Sequence, residues 1–175
     1  YGFLIGDFVR DKDANSACFM IAEIAAWAAE QNKTLYQILK DIYKEFGFYK
    51  EGLLSLTKKG ISGSEEIKNM MYRFRNDTPK EILGSKIVEI KDYKTSICKD
   101  VNSGLETIIN LPKSDVLQFF TEDGTKISIR PSGTEPKIKF YFGIKAKLNE
   151  IADFEVVNNE LNNKINALIK LFSEE

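Results

Sequence analysis

Only two cysteines occur in the 175 residues, Cys18 and Cys98, far apart and in no CxxC pair. That usage argues against a structural zinc site or a disulfide framework and suits a reducing cytoplasm, with both thiols as bland buried or half-buried groups. No apolar run approaches the roughly 20 residues that a membrane-spanning helix needs. Nor does a basic region followed by an apolar core open the chain, as it would in a secretory signal. An excess of one charge is also missing: 25 basic and 26 acidic residues leave a net charge of -1, so no global field draws nucleic acid or an anionic membrane. Any anion site has to be local. What is present is 43% hydrophobic content, enough at this length for one real core with a small second unit.

Residues 1–46 read as a mainly helical piece with no sheet of its own. Asp13 caps a helix over about 14–30, in which Phe19, Met20, Ile21, Ile24 and Trp27 leave little polar surface, so the pattern predicts a helix covered on most sides. Thr34 and Gln37 form a capping box, Leu35, Ile38, Leu39, Ile42 and Phe46 keep helical spacing, and Gly47 supplies the stop. From Phe48 the pattern changes. Leu53 to Thr57 suggests a short strand, and Ser62 with Glu65 reads as a capping box before Ile67, Met70, Met71 and Phe74. KIVEIK at 86–91 alternates, and Val116 to Phe120 leads through Asp123-Gly124, a hairpin signal, into Lys126 to Arg130. Residues 93–112 read as a partly irregular connection. Ile138, Phe140, Phe142 and Ile144 point one way and Lys137, Lys139, Tyr141 and Lys145 the other, so helices are expected on the apolar face only. Phe154, Val157, Leu161, Ile165, Leu168 and Phe172 form the core stripe of a last helix. Residues 47–175 are thus expected to be an α+β domain: a small antiparallel sheet with helices on one face.

Between the last two strands stands RPSGTEP, Arg130 to Pro136. Pro131 fixes one backbone angle and Gly133 permits a positive one, so successive N–H groups can converge on an anion. Ser132 and Thr134 offer hydroxyl donors, and the planar fork of Arg130 can grip two phosphate oxygens. Glu135 is expected to turn away, pairing with a lysine. Read alone, the same residues also suit an ordinary turn, with Arg130 as a surface residue ending a strand.

RPSGTEPKIKFYF resembles the phosphate-binding loop of the α-D-phosphohexomutase superfamily, with its R-x-S-x-T signature and the strand that follows. YGFLIGDFVRDKDA, residues 1–14, is similar to the end of the third domain in the phosphoglucomutase and phosphomannomutase branch, where an E-E-S-Y-G sugar loop precedes a V-R-D-K-D-A element. KIVEIKDY at 86–93 and VLQFFTEDGTKISIRPSGTEP at 116–136 resemble the opening and middle of the fourth domain. The resemblance implies that residues 47–175 form that fourth domain, with a TATA-box-binding-protein-like fold, and that residues 1–46 are the helical end of the third. It also implies a reaction, reversible phosphoryl transfer between the 1 and 6 positions of a hexose through a phosphoserine and a hexose 1,6-bisphosphate. Arg130, Ser132, Gly133 and Thr134 would bind phosphate, with Lys137 and Lys139 as further candidates. Lys12 matches a family lysine near the reacting groups, where a cation stabilises developing charge or assists proton transfer; apart from the resemblance it is one member of an Asp-Lys-Asp surface cluster.

The family's T-A-S-H-N-P phosphoserine motif needs a histidine, and this chain has none. The D-G-D-x-D spacing of its magnesium site is missing too, and only Tyr1 and Gly2 match E-E-S-Y-G. No metal is therefore assigned to these residues, Asp13 being read as a helix cap, and the chain is expected to be inactive alone, as the C-terminal part of a cytoplasmic, Mg2+-dependent mutase. Its expected partners are a phosphosugar and the remaining mutase domains, while the helix at 14–30 is expected either to self-associate or to pack loosely. The alternatives are a phosphopentomutase of the same superfamily, a stand-alone phosphosugar-binding module, and a protein-interaction domain on the same scaffold.

Overall fold

A computed structural model of the chain describes residues 4–6, 11–58, 60 and 62–174. Half of the stretch 1–14 that resembles the end of the third domain, residues 1–3 and 7–10, lies outside them. The chain divides into two compact units: residues up to Gly47 with Leu148–Phe154, and Phe48–Lys147 with Glu155–Glu175.

In the first unit, α1 (Ala14–Glu30) starts at Asp13, whose carboxylate accepts from the Asn15 N–H at 3.0 Å and from the Ser16 hydroxyl. The Ser16 hydroxyl and the Asn15 N–H hold the Asp13 carboxyl below its ordinary pKa, as capping donors do for an ionised group. Helix α2 (Leu35–Phe46) opens on the Thr34–Gln37 capping box and closes at Gly47, whose φ of 101° suits glycine. Tyr36 and Tyr43 flank the Phe154 ring, at centroid distances of 5.7 and 6.3 Å. The expectation that α1 is covered on most sides fails. Only Ala28 of this helix is buried, while Phe19 is 69% and Trp27 52% exposed. Within its unit, α2 is too narrow a partner for an all-round apolar helix.

The second unit is α+β. Strands β1 (Phe48–Thr57), β3 (Ser85–Asp92), β4 (Ile97–Asp100), β5 (Glu106–Ile108), β6 (Leu117–Thr121), β7 (Lys126–Pro131) and β8 (Lys137–Ala146) lie in the order β1-β8-β7-β6-β3-β4-β5, every pair antiparallel, with β2 (Glu81–Ile82) paired to β3. Three expectations need correction. β1 runs the full ten residues because it pairs with all of β8, so the strand suggested at 53–57 was only its last half. Ser62 is the first residue of α3 (Ser62–Asn76) rather than its cap, and the position before it lies outside the described residues. Residues 93–112 contain β4 and β5, whose short, largely exposed segments carry little apolar periodicity to betray them.

Along β8, Ile138, Phe140, Phe142 and Ile144 are buried to 2% exposure or less. Onto this face pack α3 and α4 (Phe154–Ser173): Phe74 meets Phe140 edge-on at 5.8 Å, and Phe172 lies 5.2 and 5.5 Å from Phe140 and Phe142. Each such side chain contributes about 1.5–3 kcal/mol by burial, against about 0.2–1 kcal/mol for an exposed ion pair, so the apolar face holds the unit together. Gly63 lets α3 start close to the residue that follows β1, since a Cβ there would stand 2.5 Å from the Lys58 carbonyl oxygen.

Asp123 braces the β6–β7 turn, where Gly124 has φ 79°. Its carboxylate accepts from Thr121 Oγ1 and Thr125 Oγ1 at 2.7 Å, from the Thr125 N–H at 3.0 Å and from Lys164 Nζ at 2.6 Å. Burial resists its ionisation, but the hydrogen bonds from Lys164, Thr121 and Thr125 together outweigh that and hold the carboxyl far below the usual carboxylate range. A depressed folded pKa gives stability that is full above the unfolded value of about 3.9 and is lost as pH falls toward the folded one. Asp123→Asn should therefore cost about 1–2 kcal/mol at pH 7, a modest figure because the side chain is 42% exposed. Urea unfolding from pH 7 down to 3 should show the gap between wild type and variant closing below about pH 4.

Candidate phosphate-binding site

The loop from Ser132 to Pro136 joins β7 to β8, and the pairing of Arg130 with Lys139 and of Pro131 with Ile138 fixes its mouth. The Ser132 N–H donates to the Lys137 carbonyl at 2.7 Å, and the Lys137 N–H to that of Glu135 at 2.8 Å. A further bond, from the Lys58 N–H to the Pro136 carbonyl at 2.9 Å, ties the loop to the end of β1. The cup thus hangs from two neighbouring strands.

The interior differs from expectation in three respects. Gly133 has no positive φ; the turn is made without one, and a Cβ there would meet nothing within 4 Å. The N–H groups of Thr134 and Glu135 do not point at an open nest but converge on Ser132 Oγ, at 3.4 and 3.3 Å. Both contacts are longer than the 2.9–3.0 Å of a well-made N–H···O bond. Glu135 is exposed and forms no ion pair with a lysine among the described residues.

The loop has two open sides, which differ in charge. One is a depression of about 360 Å3 walled by Arg130, Lys137, Lys139 and Tyr141, with Ser132, Gly133, Thr134 and Glu135 from the loop itself. The other, about 330 Å3, faces α3 and offers Lys68 against Asp115 and Glu135. Three cations with one carboxylate favour an anion; one cation with two carboxylates does not. Arg130, Lys137 and Lys139 also have no acidic partner within salt-bridge distance among the described residues. A larger depression, about 800 Å3, shares no residue with the loop, and its Arg75 is paired with Asp92 and Asp115 at 3.2 and 2.5 Å.

All six loop and strand residues singled out in the sequence therefore line one depression. Lys12 belongs to the first unit, where its Nζ lies 3.2 Å from Asp11 Oδ1 on the surface. Tyr141 carried no functional assignment in the sequence; its signal was its place on the same face as Lys139, two residues on. Among the described residues no three His, Cys, Asp or Glu side chains converge as a metal site would require.

Residues 75–157 match the family model for the phosphoglucomutase/phosphomannomutase C-terminal domain, a span that includes the whole loop. Among curated proteins, a phosphoglucomutase of Staphylococcus aureus is 39% identical over 169 residues, and one of Staphylococcus epidermidis 36% over 165. Residues 75–157 are a C-terminal domain of this family. These alignments take in 97% and 94% of the chain but 29% of either relative, so the chain spans under a third of the length of the phosphohexomutases it matches. Parafusin, a phosphoglucomutase of Paramecium solved in its open form, shares the fold at 18% identity with a TM-score of 0.50, over 93% of this chain and 28% of its own.

Within this domain, neither the space around Gly133 nor its φ demands a glycine. Gly133→Ala should leave the melting temperature unchanged or raise it, by up to about 1 kcal/mol of stability from a less flexible unfolded chain. If the loop holds phosphate, the same variant should weaken binding of inorganic phosphate in calorimetric titration. Destabilisation would show that the glycine is needed by the turn.

Proposed function

We propose that the β7–β8 loop is the phosphate clamp of a phosphoglucomutase or phosphomannomutase. The observation that carries this reading is the cluster of Arg130, Lys137 and Lys139, unpaired with acids among the described residues, around a hydroxyl-bearing loop with room for a ligand. A clamp of this kind holds whichever phosphate is not reacting while the other is transferred. That role suits a reaction in which a hexose 1,6-bisphosphate reorients between two transfers, since many donors around a tetrahedral dianion tolerate either end of the sugar. The loop sees phosphate and not the ring, so a pentose phosphate fits the same clamp.

On this reading the phosphoserine, the magnesium ligands and the sugar-binding glutamate belong to parts of a complete, cytoplasmic mutase other than this chain. Magnesium would supply charge neutralisation at the transferred phosphoryl group, and the residues described here do not form a site for it. Residues 1–46 would be the end of the third domain, with Lys12 turned to the reacting groups in the whole enzyme. The exposed apolar surface of α1 would there meet the rest of its own domain, and in the isolated chain it would drive self-association. Sedimentation that reports a monomer at every concentration would count against that last point.

The clamp itself is tested by thermal shift with glucose 1-phosphate. A ligand at a hundred times its Kd stabilises by about 2.7 kcal/mol. Arg130→Ala should weaken binding at least tenfold, the loss of a charge-assisted, two-pronged contact. Unchanged affinity in the variant would remove the assignment.

A further inference from the structure

We infer that Tyr141 is a ligand-contacting residue of the clamp, its phenol donating a hydrogen bond to the bound phosphate; the inference rests on the phosphate-binding reading above. Tyr141 stands two residues beyond Lys139 on the same face of β8, half-buried in the wall that Arg130, Lys137 and Lys139 complete. Its strand partner across β7 is Ser128.

Ser128 is already engaged. Its hydroxyl oxygen accepts from Gln118 Nε2 at 2.9 Å, and Gln118 Oε1 in turn accepts from the Tyr93 hydroxyl at 3.1 Å. The wet face thus carries two recessed tyrosines in contrasting states. The phenol of Tyr93 is used within the fold, whereas that of Tyr141 neither donates to nor accepts from any described residue. Tyr49 and Tyr72 are exposed to solvent. Tyr141 instead faces the depression.

Chemistry then fixes the direction of the bond. A phenol beside an anion has only its proton to offer, because its oxygen lone pairs would be repelled. A lysine ammonium attracts from any direction and swings on a flexible stem, whereas a tyrosine has two side-chain torsions and a fixed reach. Tyr141 therefore adds direction, and no further charge, to a site that already holds three cations.

The test is Tyr141→Phe in this chain, titrated calorimetrically with inorganic phosphate and separately with glucose 1-phosphate. The ring is kept, so the melting temperature without ligand should not move. Affinity for both ligands should fall about tenfold, as expected for a hydrogen bond to a charged acceptor. The wild-type advantage for glucose 1-phosphate should grow as pH rises through about 6, where the phosphate monoester becomes a dianion and a stronger acceptor. Equal affinities would overturn the inference, as would a loss confined to glucose 1-phosphate, which would place the phenol on the sugar. Wild-type protein that binds neither ligand would overturn the clamp reading and this inference together.

Discussion

The pairing of β8 with β7 and β1 is the constraint on which the rest of the second unit depends. Its side chains alternate so that Ile138, Phe140, Phe142 and Ile144 enter the core while Lys137, Lys139 and Tyr141 stay on the other face. A slip of one residue would put lysines beneath Phe74 and Phe172, at a desolvation cost of several kcal/mol per charge, and would expose the phenylalanines. Packing on one face therefore fixes the position of cations on the other. The core is what aims Lys139 at Arg130, although neither residue belongs to it.

Because the helices cover one face only, the opposite face is free to carry chemistry. Charge separates the two hollows beside the loop, and size does not: they are nearly equal in volume, while the much larger hollow near β3 and β4 mixes acids, bases and aliphatic groups. In a chain whose net charge is -1, three basic groups around one bend, unpaired with acids among the described residues, form a local field that composition alone does not reveal. The acids that balance them are spent elsewhere, as Asp123 is on Lys164 and Asp92 and Asp115 are on Arg75.

What was legible in the amino-acid order follows the same division. The β6–β7 hairpin, the alternation of β8 and the stripe of α4 were readable because each buries one face, which writes a period into the chain. Strands β4 and β5 were not, since strands with little burial place no such demand on sequence. The loop was readable in its residue types but not in its conformation. Glycine at 133 advertises a left-handed angle that the turn does not use, and the convergence of two N–H groups on a serine oxygen depends on a side-chain rotamer that no spacing specifies. Tyr141 was visible as a wet-face residue, but its unspent hydroxyl emerges only once Gln118 and Ser128 are seen to satisfy each other and Tyr93.

The Ser132 hydroxyl has a consequence of its own. Two long amide contacts converge on its oxygen, so the backbone of the loop is bent around an acceptor supplied by the loop itself. On the proposed reading, capture would be an exchange of one oxygen for another within that bend, with little chain entropy left to surrender. A bend held in this way can give up one acceptor and take another without refolding.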